Sequence, residues 1–202
     1  MDYLLGIGLK GVTIPSHIQA KDIGIKRFRK FWAKAEELGM PVYIHPRGFT
    51  HDDRLHKFFL WNSIGQPLEE ALAISSIIYE GILDDFPKLK IIIAHGGGYF
   101  PYYAGRTDKA YESRSETRLN IKQKPSEYLS KFYYDSVIFD RDMLGPLVKK
   151  AGDNKIMMGS DCPRGEVEED PIGFIRRPKN LSQLSKNKII GLNAAKLFKV
   201  KF

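Results

Sequence analysis

The chain has 202 residues, of which 43% are hydrophobic and 12% aromatic, and its formal net charge is +8. This length and composition predict one soluble globular domain over residues 1–202, with enough chain for a sizeable core. No apolar run approaches the roughly 20 residues of a membrane span, and the first residues do not resemble a signal peptide. The single cysteine, Cys162, excludes an internal disulfide and a cysteine-based zinc knuckle, so a reducing, cytoplasmic location is expected.

The positive charge is concentrated at the carboxyl end, because residues 176–202 contain eight basic side chains and no acidic ones. A basic tail can bind nucleic acid. Here, however, the basic residues are scattered between apolar ones, and the segment lacks an aromatic stacking platform. A solvated helical surface is the favoured interpretation, and neither a nucleic-acid nor a membrane partner is expected.

In the first third of the chain, residues 3–9 are typical of the end of a helix, and a short apolar strand is predicted over residues 10–15. A polar loop over residues 16–24 contains His17, which is expected to be a plain loop histidine. Apolar residues then recur on one helical face over residues 25–38, and Gly39 is predicted as the C-cap.

A second strand is predicted over residues 41–46, and a long loop follows it over residues 46–65. Loops of this length at the carboxyl end of a strand are usually functional. Phe59 and Trp61 in this loop are candidates to bind a substrate, with covering of the sheet rim as the alternative. The same loop holds His51 and His56, interpreted as surface or substrate groups.

The remaining elements alternate in the same way. Helices are predicted over residues 67–85, 99–118 and 125–131, after Asp140 with a break or kink at Gly145-Pro146, and from about Asn193. Strands are predicted over residues 90–95, 132–137 and 155–160. Five strands separated by helical segments indicate parallel βαβ units and an α/β fold.

Three of these strands lead into a residue that can bind a metal or transfer a proton: His45, His95 and Asp161. Parallel α/β folds place their chemistry at the carboxyl ends of strands, so these side chains are expected to converge. A single strand-end histidine is more often structural. Two histidines and an aspartate together predict a hydrolytic metal site.

These stretches resemble the amidohydrolase superfamily, and most closely its amidohydrolase 2 branch, which includes aminocarboxymuconate-semialdehyde decarboxylase and related aromatic-acid decarboxylases. The resemblance is carried by residues 39–46, 86–98, 105–106, 132–136, 158–163 and 193–198. It covers nearly the whole chain. It implies a (β/α)8 TIM-type barrel with one divalent metal, expected to be zinc with manganese as the alternative.

The resemblance also implies roles for individual residues. His45 corresponds to a metal ligand, Asp161 to a metal ligand with a catalytic role, and His95 to the acid/base beside the metal. Arg106 corresponds to an arginine that reaches a partner subunit's pocket and holds the substrate carboxylate. The expected reaction is hydrolysis or decarboxylation of a small aromatic or unsaturated carboxylic acid, and Cys162 is expected to pack against the barrel wall.

The sequence departs from this family in one respect, because it has no His-x-His motif, which supplies two further ligands on the family's first strand. A full barrel takes about 250 residues. We therefore expect an incomplete barrel of five βα units, strands four to eight, that binds metal weakly and has little activity alone. Its open strand edges predict a dimer or larger homo-oligomer. A catalytically inactive remnant that serves only as a folded or oligomeric module is the alternative.

Overall fold

The computed structural model describes residues 1–49, 54–163 and 166–200. In chain order the strands are β1 (Val12–Ile14), β2 (His17–Ile18), β3 (Lys21–Asp22), β4 (Val42–Ile44), β5 (Ile91–Ile93), β6 (Tyr133–Asp135) and β7 (Ile156–Met157). The α-helices are α1 (Asp2–Gly6), α2 (Arg29–Glu37), α3 (Gln66–Tyr79), α4 (Ile82–Asp85), α5 (Phe100–Ser113), α6 (Arg141–Ala151), α7 (Pro171–Arg176), α8 (Gln183–Asn187) and α9 (Asn193–Phe198). Short 3-10 helices lie at Lys26–Phe28, His95–Gly97, Ser115–Arg118 and Pro125–Lys131, and π-helical turns at Trp61–Gly65 and Lys188–Leu192.

One sheet organises the fold, with five parallel strands in the order β1, β4, β5, β6, β7. Val42 pairs with Val12 on one side and Ile91 on the other, and Tyr134 pairs with Ile93 and Ile156. Helical segments connect each of these strands to the next. The predicted α/β architecture of five parallel βα units is therefore confirmed.

The two faces of the sheet are packed differently. Val42, Ile44, Ile91 and Ile93 belong to the large core cluster that also contains buried side chains of helices α2, α3 and α6. The alternating residues, such as Ile92 and Met157, form a small cluster with Leu197 and Phe198 of α9. Strand side chains alternate between faces, so one face carries the main core and the other is only partly covered in the described residues.

Two elements differ from the predicted ones in the first half of the chain. The loop over residues 16–24 contains a two-stranded antiparallel hairpin, in which His17 pairs with Asp22. The helix predicted over residues 67–85 is divided into α3 and α4 at Gly81, which has a φ of 70°. A Cβ at Gly81 would lie 2.6 Å from the carbonyl oxygen of Asn120, so a side chain would not fit there.

Two further differences lie near the carboxyl end. Helix α6 is a single element from Arg141 to Ala151 with Pro146 inside it, and the Asp140 side chain caps it by accepting from Asp142 N. The last helix, α9, begins at Asn193 as predicted, but it continues without a gap from α8 and the π-helical turn, which were not predicted; the Ser182 side chain caps α8 by accepting from Ser185 N. None of the helices in the described ranges is both long and apolar enough to cross a membrane.

Candidate metal centre

His45, His95 and Asp161 converge where β4, β5 and β7 end, as the strand-end pattern predicts. Their potential ligand atoms all lie within 4.8 Å of one another. His45 Nε2 is 3.2 Å from Asp161 Oδ1, and His95 Nε2 is 3.6 Å from Asp161 Oδ2. The Asp161 carboxylate thus faces one nitrogen of each imidazole.

The backbone at this cluster adopts an unfavourable conformation at two of the three positions. His95 has a φ of 49° and Asp161 a φ of 60°, in the left-handed region that residues with a side chain seldom occupy. Asp135 supports the turn after His95, because its Oδ1 accepts from the backbone N–H groups of Gly96 at 3.1 Å and Val137 at 3.0 Å. Such strain persists where the surroundings enforce it, which is common at functional sites.

Glu70 is a member of this site that the sequence analysis missed. Its side chain on α3 is fully buried, and its Oε1 makes a very short hydrogen bond with His95 Nδ1. A signal for it exists in the sequence, because Glu70 falls on the same helical stripe as Ala73, Ile74 and Ile77, which are buried core residues. A carboxylate on the apolar face of a helix needs a partner, and here the partner is His95.

The close approach of α3 to the site depends on a glycine. Gly98 has a φ of 58°, and a Cβ there would lie 2.1 Å from the carbonyl oxygen of Pro67 and 3.0 Å from Glu70 Oε2. Any side chain at Gly98 would therefore displace the start of α3, which positions the Glu70 carboxylate.

The charges of these groups are strongly coupled. Burial raises the pKa of Glu70 to about 7, although the hydrogen bond with His95 lowers it. Burial lowers the pKa of His95, but the carboxylates of Asp161 and Glu70 outweigh burial and raise it to about 10. For Asp161, burial raises the pKa, and the neighbouring His95 and His45 bring it below its ordinary value. In the metal-free chain, a positively charged His95 therefore lies between two carboxyl groups.

The two imidazoles are oriented in the same way. His45 Nδ1 lies 2.9 Å from the carbonyl oxygen of Pro46, and His95 Nδ1 faces Glu70, so both rings direct Nε2 towards Asp161. Metal-binding histidines commonly donate their second ring N–H to a carbonyl or carboxylate. Imidazole nitrogens and a carboxylate oxygen suit zinc or manganese, so the residues of this site fit a divalent metal.

A cavity of about 820 Å³ opens beside the cluster, and His45, His95 and Asp161 all contribute to its wall. Phe59 and Trp61 line the same cavity, with their ring centroids 4.9 Å apart in an edge-to-face arrangement. The rest of the wall is formed by Asn62, Ser63, Gln66, Pro67, Gly98, Tyr99, Tyr102, Val137, Ile138, Phe139, Met143 and Glu166. Its size suits a small-molecule ligand.

The other candidate residues lie elsewhere. Arg106 is exposed on α5 and is not among the described residues that line the cavity, so its expected action in a partner subunit stays a prediction. Cys162 is exposed rather than packed against the barrel wall, and it lines a chamber together with Ser160 and Asp161. His17 lies in the hairpin, and His51 lies outside the described residues.

Comparison with known proteins identifies the class. Residues 3–200 match the amidohydrolase family profile, of the amidohydrolase 2 type, and the chain belongs to this family. It is 33% identical over 192 residues to 2-amino-3-carboxymuconate-6-semialdehyde decarboxylase of Dictyostelium discoideum, covering 95% of this chain and 54% of that protein. The chain thus spans about half the length of the curated relatives that it matches.

Solved structures agree with this assignment. The chain superposes on 5-carboxyvanillate decarboxylase from Sphingomonas paucimobilis with a TM-score of 0.86 and 26% identity, over 96% of this chain and 59% of that one. The 5-carboxyvanillate decarboxylase from Novosphingobium aromaticivorans, complexed with manganese and 4-hydroxy-3-methoxy-5-nitrobenzoic acid, gives a TM-score of 0.84 at 25% identity, over 96% and 57%. The predicted relationship to the barrel of this family is confirmed, and the relatives are decarboxylases.

Proposed function

We propose that this protein is a divalent-metal-dependent decarboxylase that acts on a small aromatic or unsaturated carboxylic acid. The observation that carries the proposal is the cluster of His45, His95 and Asp161 in the wall of an aromatic cavity of about 820 Å³. The decarboxylase activity of the relatives favours loss of CO2 over hydrolysis for this site.

His45 and Asp161 are the proposed metal ligands, through Nε2 and a carboxylate oxygen. Zinc is our first expectation, and manganese is the alternative, because one structural neighbour carries manganese. When bound, the ion would act as a Lewis acid that polarises an oxygen of the substrate.

His95 is the proposed proton donor. Loss of CO2 leaves an electron pair on the carbon that carried the carboxylate, and that carbon takes up one proton to give the product. His95 Nε2 faces the cluster and holds a proton at neutral pH in the metal-free chain, because its pKa is raised to about 10. Its Nδ1 is held by Glu70, so the ring is oriented for transfer from Nε2.

Phe59 and Trp61 are the proposed walls for the planar part of the substrate. Both rings line the cavity, and both are partly exposed, with 44% and 37% of their surface accessible. Stacking of a substrate ring against them would bury this surface and exclude water from the reacting carbon.

Arg106 is proposed to serve a second subunit. It lies on the exposed side of α5, free to enter the cavity of a neighbouring copy and pair with a carboxylate there. This proposal requires a homodimer or larger assembly, and sedimentation of the chain at micromolar concentration tests it.

Release of ¹³CO2 from carboxyl-labelled aromatic acids tests the reaction. The 202-residue chain is expected to give slow release that requires added zinc or manganese, is abolished by a chelator, and is lost in Asp161→Asn. A His56→Ala variant is the matched control, because His56 is exposed outside the cavity wall. Metal-dependent cleavage of amides or esters without CO2 release would assign a hydrolase, and absence of both activities would favour the inactive remnant.

A further inference from the structure

We infer that Arg47 anchors the carboxylate of the substrate within the same chain, in a second chamber that meets the aromatic cavity at His45 and Asp161. This inference rests on the proposed function and deepens it, because it assigns the two ends of the substrate to two different chambers.

The second chamber has a volume of about 490 Å³. It shares His45, Val137 and Asp161 with the aromatic cavity, so the two spaces adjoin at the metal centre. Its wall is more polar and contains the side chains of Thr13, Tyr43, Ser160 and Arg47. A substrate can therefore lie across the centre with one end in each chamber.

The distribution of charge decides which end enters which chamber. Among the described residues, no lysine or arginine lines the aromatic cavity, and its wall includes the carboxyl groups of Asp161 and Glu166. A substrate carboxylate placed there would be desolvated near negative charge, and the cationic side chain in that wall, His95, already faces the carboxyl groups of Glu70 and Asp161. Arg47 is the one lysine or arginine in the described lining of either chamber.

Arg47 is also available for binding. It is exposed, and within the described part of the chain it makes no hydrogen bond or ion pair. The buried carboxylate of Asp135 in the same chamber already accepts from Tyr43 Oη at 2.7 Å and from the backbone N–H groups of Gly96 and Val137. A planar guanidinium is suited to bind an incoming carboxylate through two parallel hydrogen bonds.

The base of Arg47 is fixed relative to the metal centre. It follows Pro46, a buried residue whose carbonyl oxygen lies 2.9 Å from His45 Nδ1. The guanidinium therefore extends from a backbone segment that the centre itself holds in place. With the ring against Phe59 and Trp61 in the aromatic cavity and the carboxylate at Arg47, the bond that breaks lies where the two chambers meet.

Binding of two matched ligands tests the inference. The ligands are 2,6-dihydroxybenzoate and resorcinol, which has the same ring and hydroxyl groups without the carboxylate. The 202-residue chain is kept free of metal with a chelator, so that Arg47 and not a metal ion discriminates between them. The readout is tryptophan fluorescence, since Trp61 lines the cavity and the other tryptophan, Trp32, is 0% exposed.

The unmodified chain is expected to bind the carboxylate more tightly than resorcinol, with a preference that falls as salt is added. Arg47→Gln should weaken binding of the carboxylate about tenfold and leave resorcinol unchanged, as expected for loss of a charge-assisted contact. Arg47→Lys should give an intermediate loss, because it keeps the charge and loses the planar fork. Arg27→Gln is the matched control, because Arg27 is exposed and lines neither chamber, and it should change the binding of neither ligand.

Three results would overturn the inference: no preference for the carboxylate in the unmodified chain, an equal loss for both ligands in Arg47→Gln, or the same loss of carboxylate binding in Arg27→Gln. Failure of the proposed function is a separate result, because it is measured as metal-dependent CO2 release. If the chain shows the Arg47-dependent preference but releases no CO2, the assignment of Arg47 as the carboxylate anchor stands and the proposed decarboxylase activity is wrong.

Discussion

Glu70 Oε1 accepts a hydrogen bond from His95 Nδ1, and the Glu70 side chain that makes this contact is completely buried. The second carboxylate oxygen, Oε2, is also buried and has no hydrogen-bond partner in the described residues. His95 is therefore the one hydrogen-bond partner of the Glu70 carboxylate among the described residues. This contact fixes which nitrogen of His95 faces Asp161.

Replacement of Glu70 by glutamine is expected to lower the pKa of His95. Glu70 is among the groups that raise this pKa to about 10, and an amide carries no charge to stabilise the imidazolium. The measurement is an NMR titration of the His95 ring in the metal-free chain. Glu69→Gln is the matched control, because Glu69 is equally buried on the same helix but bonds to Ser16. An unchanged His95 titration in Glu70→Gln would contradict the coupling.

The same coupling predicts how stability depends on pH in the metal-free chain. The folded-state pKa of His95 is raised from 6.5 to about 10, so its contribution is fully present below pH 6.5 and is lost as the pH rises towards 10. The free energy of unfolding, measured in urea, should be lower at pH 10 than at pH 7, and this decrease should be smaller in Glu70→Gln. An equal decrease in the two proteins would exclude His95 as the source of the pH dependence.

Gly98→Ala is expected to destabilise the fold by about 2 kcal/mol or more, because it combines an unfavourable φ with a steric overlap. The φ is 58°, and the added Cβ would lie 2.1 Å from the Pro67 carbonyl oxygen. Gly105→Ala in α5 is the control, since nothing lies within 4 Å of its Cβ position. That change should stabilise the helix by about 0.5–1 kcal/mol. Denaturant midpoints measure both, and a neutral Gly98→Ala would show that α3 can move.

Asp153 connects the C-terminal helical stretch to the segment before β7. Its carboxylate accepts from Lys188 Nζ at 3.0 Å and Ser185 Oγ at 2.8 Å, and its carbonyl oxygen accepts from Asn193 Nδ2 at 2.7 Å. Asp153→Asn should cost about 1 kcal/mol, since the ion pair is partly exposed. A double-mutant cycle with Lys188→Gln isolates the contribution of the Asp153–Lys188 pair. A coupling energy of zero would show that this pair does not stabilise the fold.

The contribution of the Asp153–Lys188 ion pair to stability is lost at low pH, whereas that of His95 is lost at high pH. Lys188 and Ser185 lower the pKa of Asp153 below its model-compound value of 3.8. Its contribution is therefore present above pH 3.8 and is lost as the pH falls through the lowered folded-state value. The free energies of unfolding of the unmodified chain and of Asp153→Asn should therefore become equal as the pH falls through that range. A difference that stays constant down to pH 2 would argue against a charged Asp153 as the source of the stabilisation.

The strands and the convergence of His45, His95 and Asp161 could be predicted from the sequence, because both depend on local patterns. Each strand is a short apolar run, and parallel strands bring their carboxyl ends to one edge. Glu70 could not be assigned a partner in the same way, since its contact joins residues 25 positions apart through the packing of α3. The start of the last helix at Asn193 was predicted, but α8 before it was not, since its start depends on the Ser182 side-chain cap.

Side chains outside the cluster show a second kind of feature that the sequence pattern does not predict. The exposure of Cys162 depends on which neighbours pack around the turn after Asp161, and the local sequence does not determine them. The adjoining chambers at His45 depend likewise on the side chains of several separate strands and loops. Such features follow from tertiary packing, and sequence periodicity carries no information about them.

We propose that His45 and Asp161 hold one divalent ion beside His95, and calorimetric titration of zinc and manganese into the metal-free chain is the decisive measurement. We expect weak but saturable binding of one ion per chain, reduced at least tenfold in Asp161→Asn and His45→Ala, and unchanged in His56→Ala. Binding of equal strength in Asp161→Asn, or no saturable binding in the unmodified chain, would contradict it.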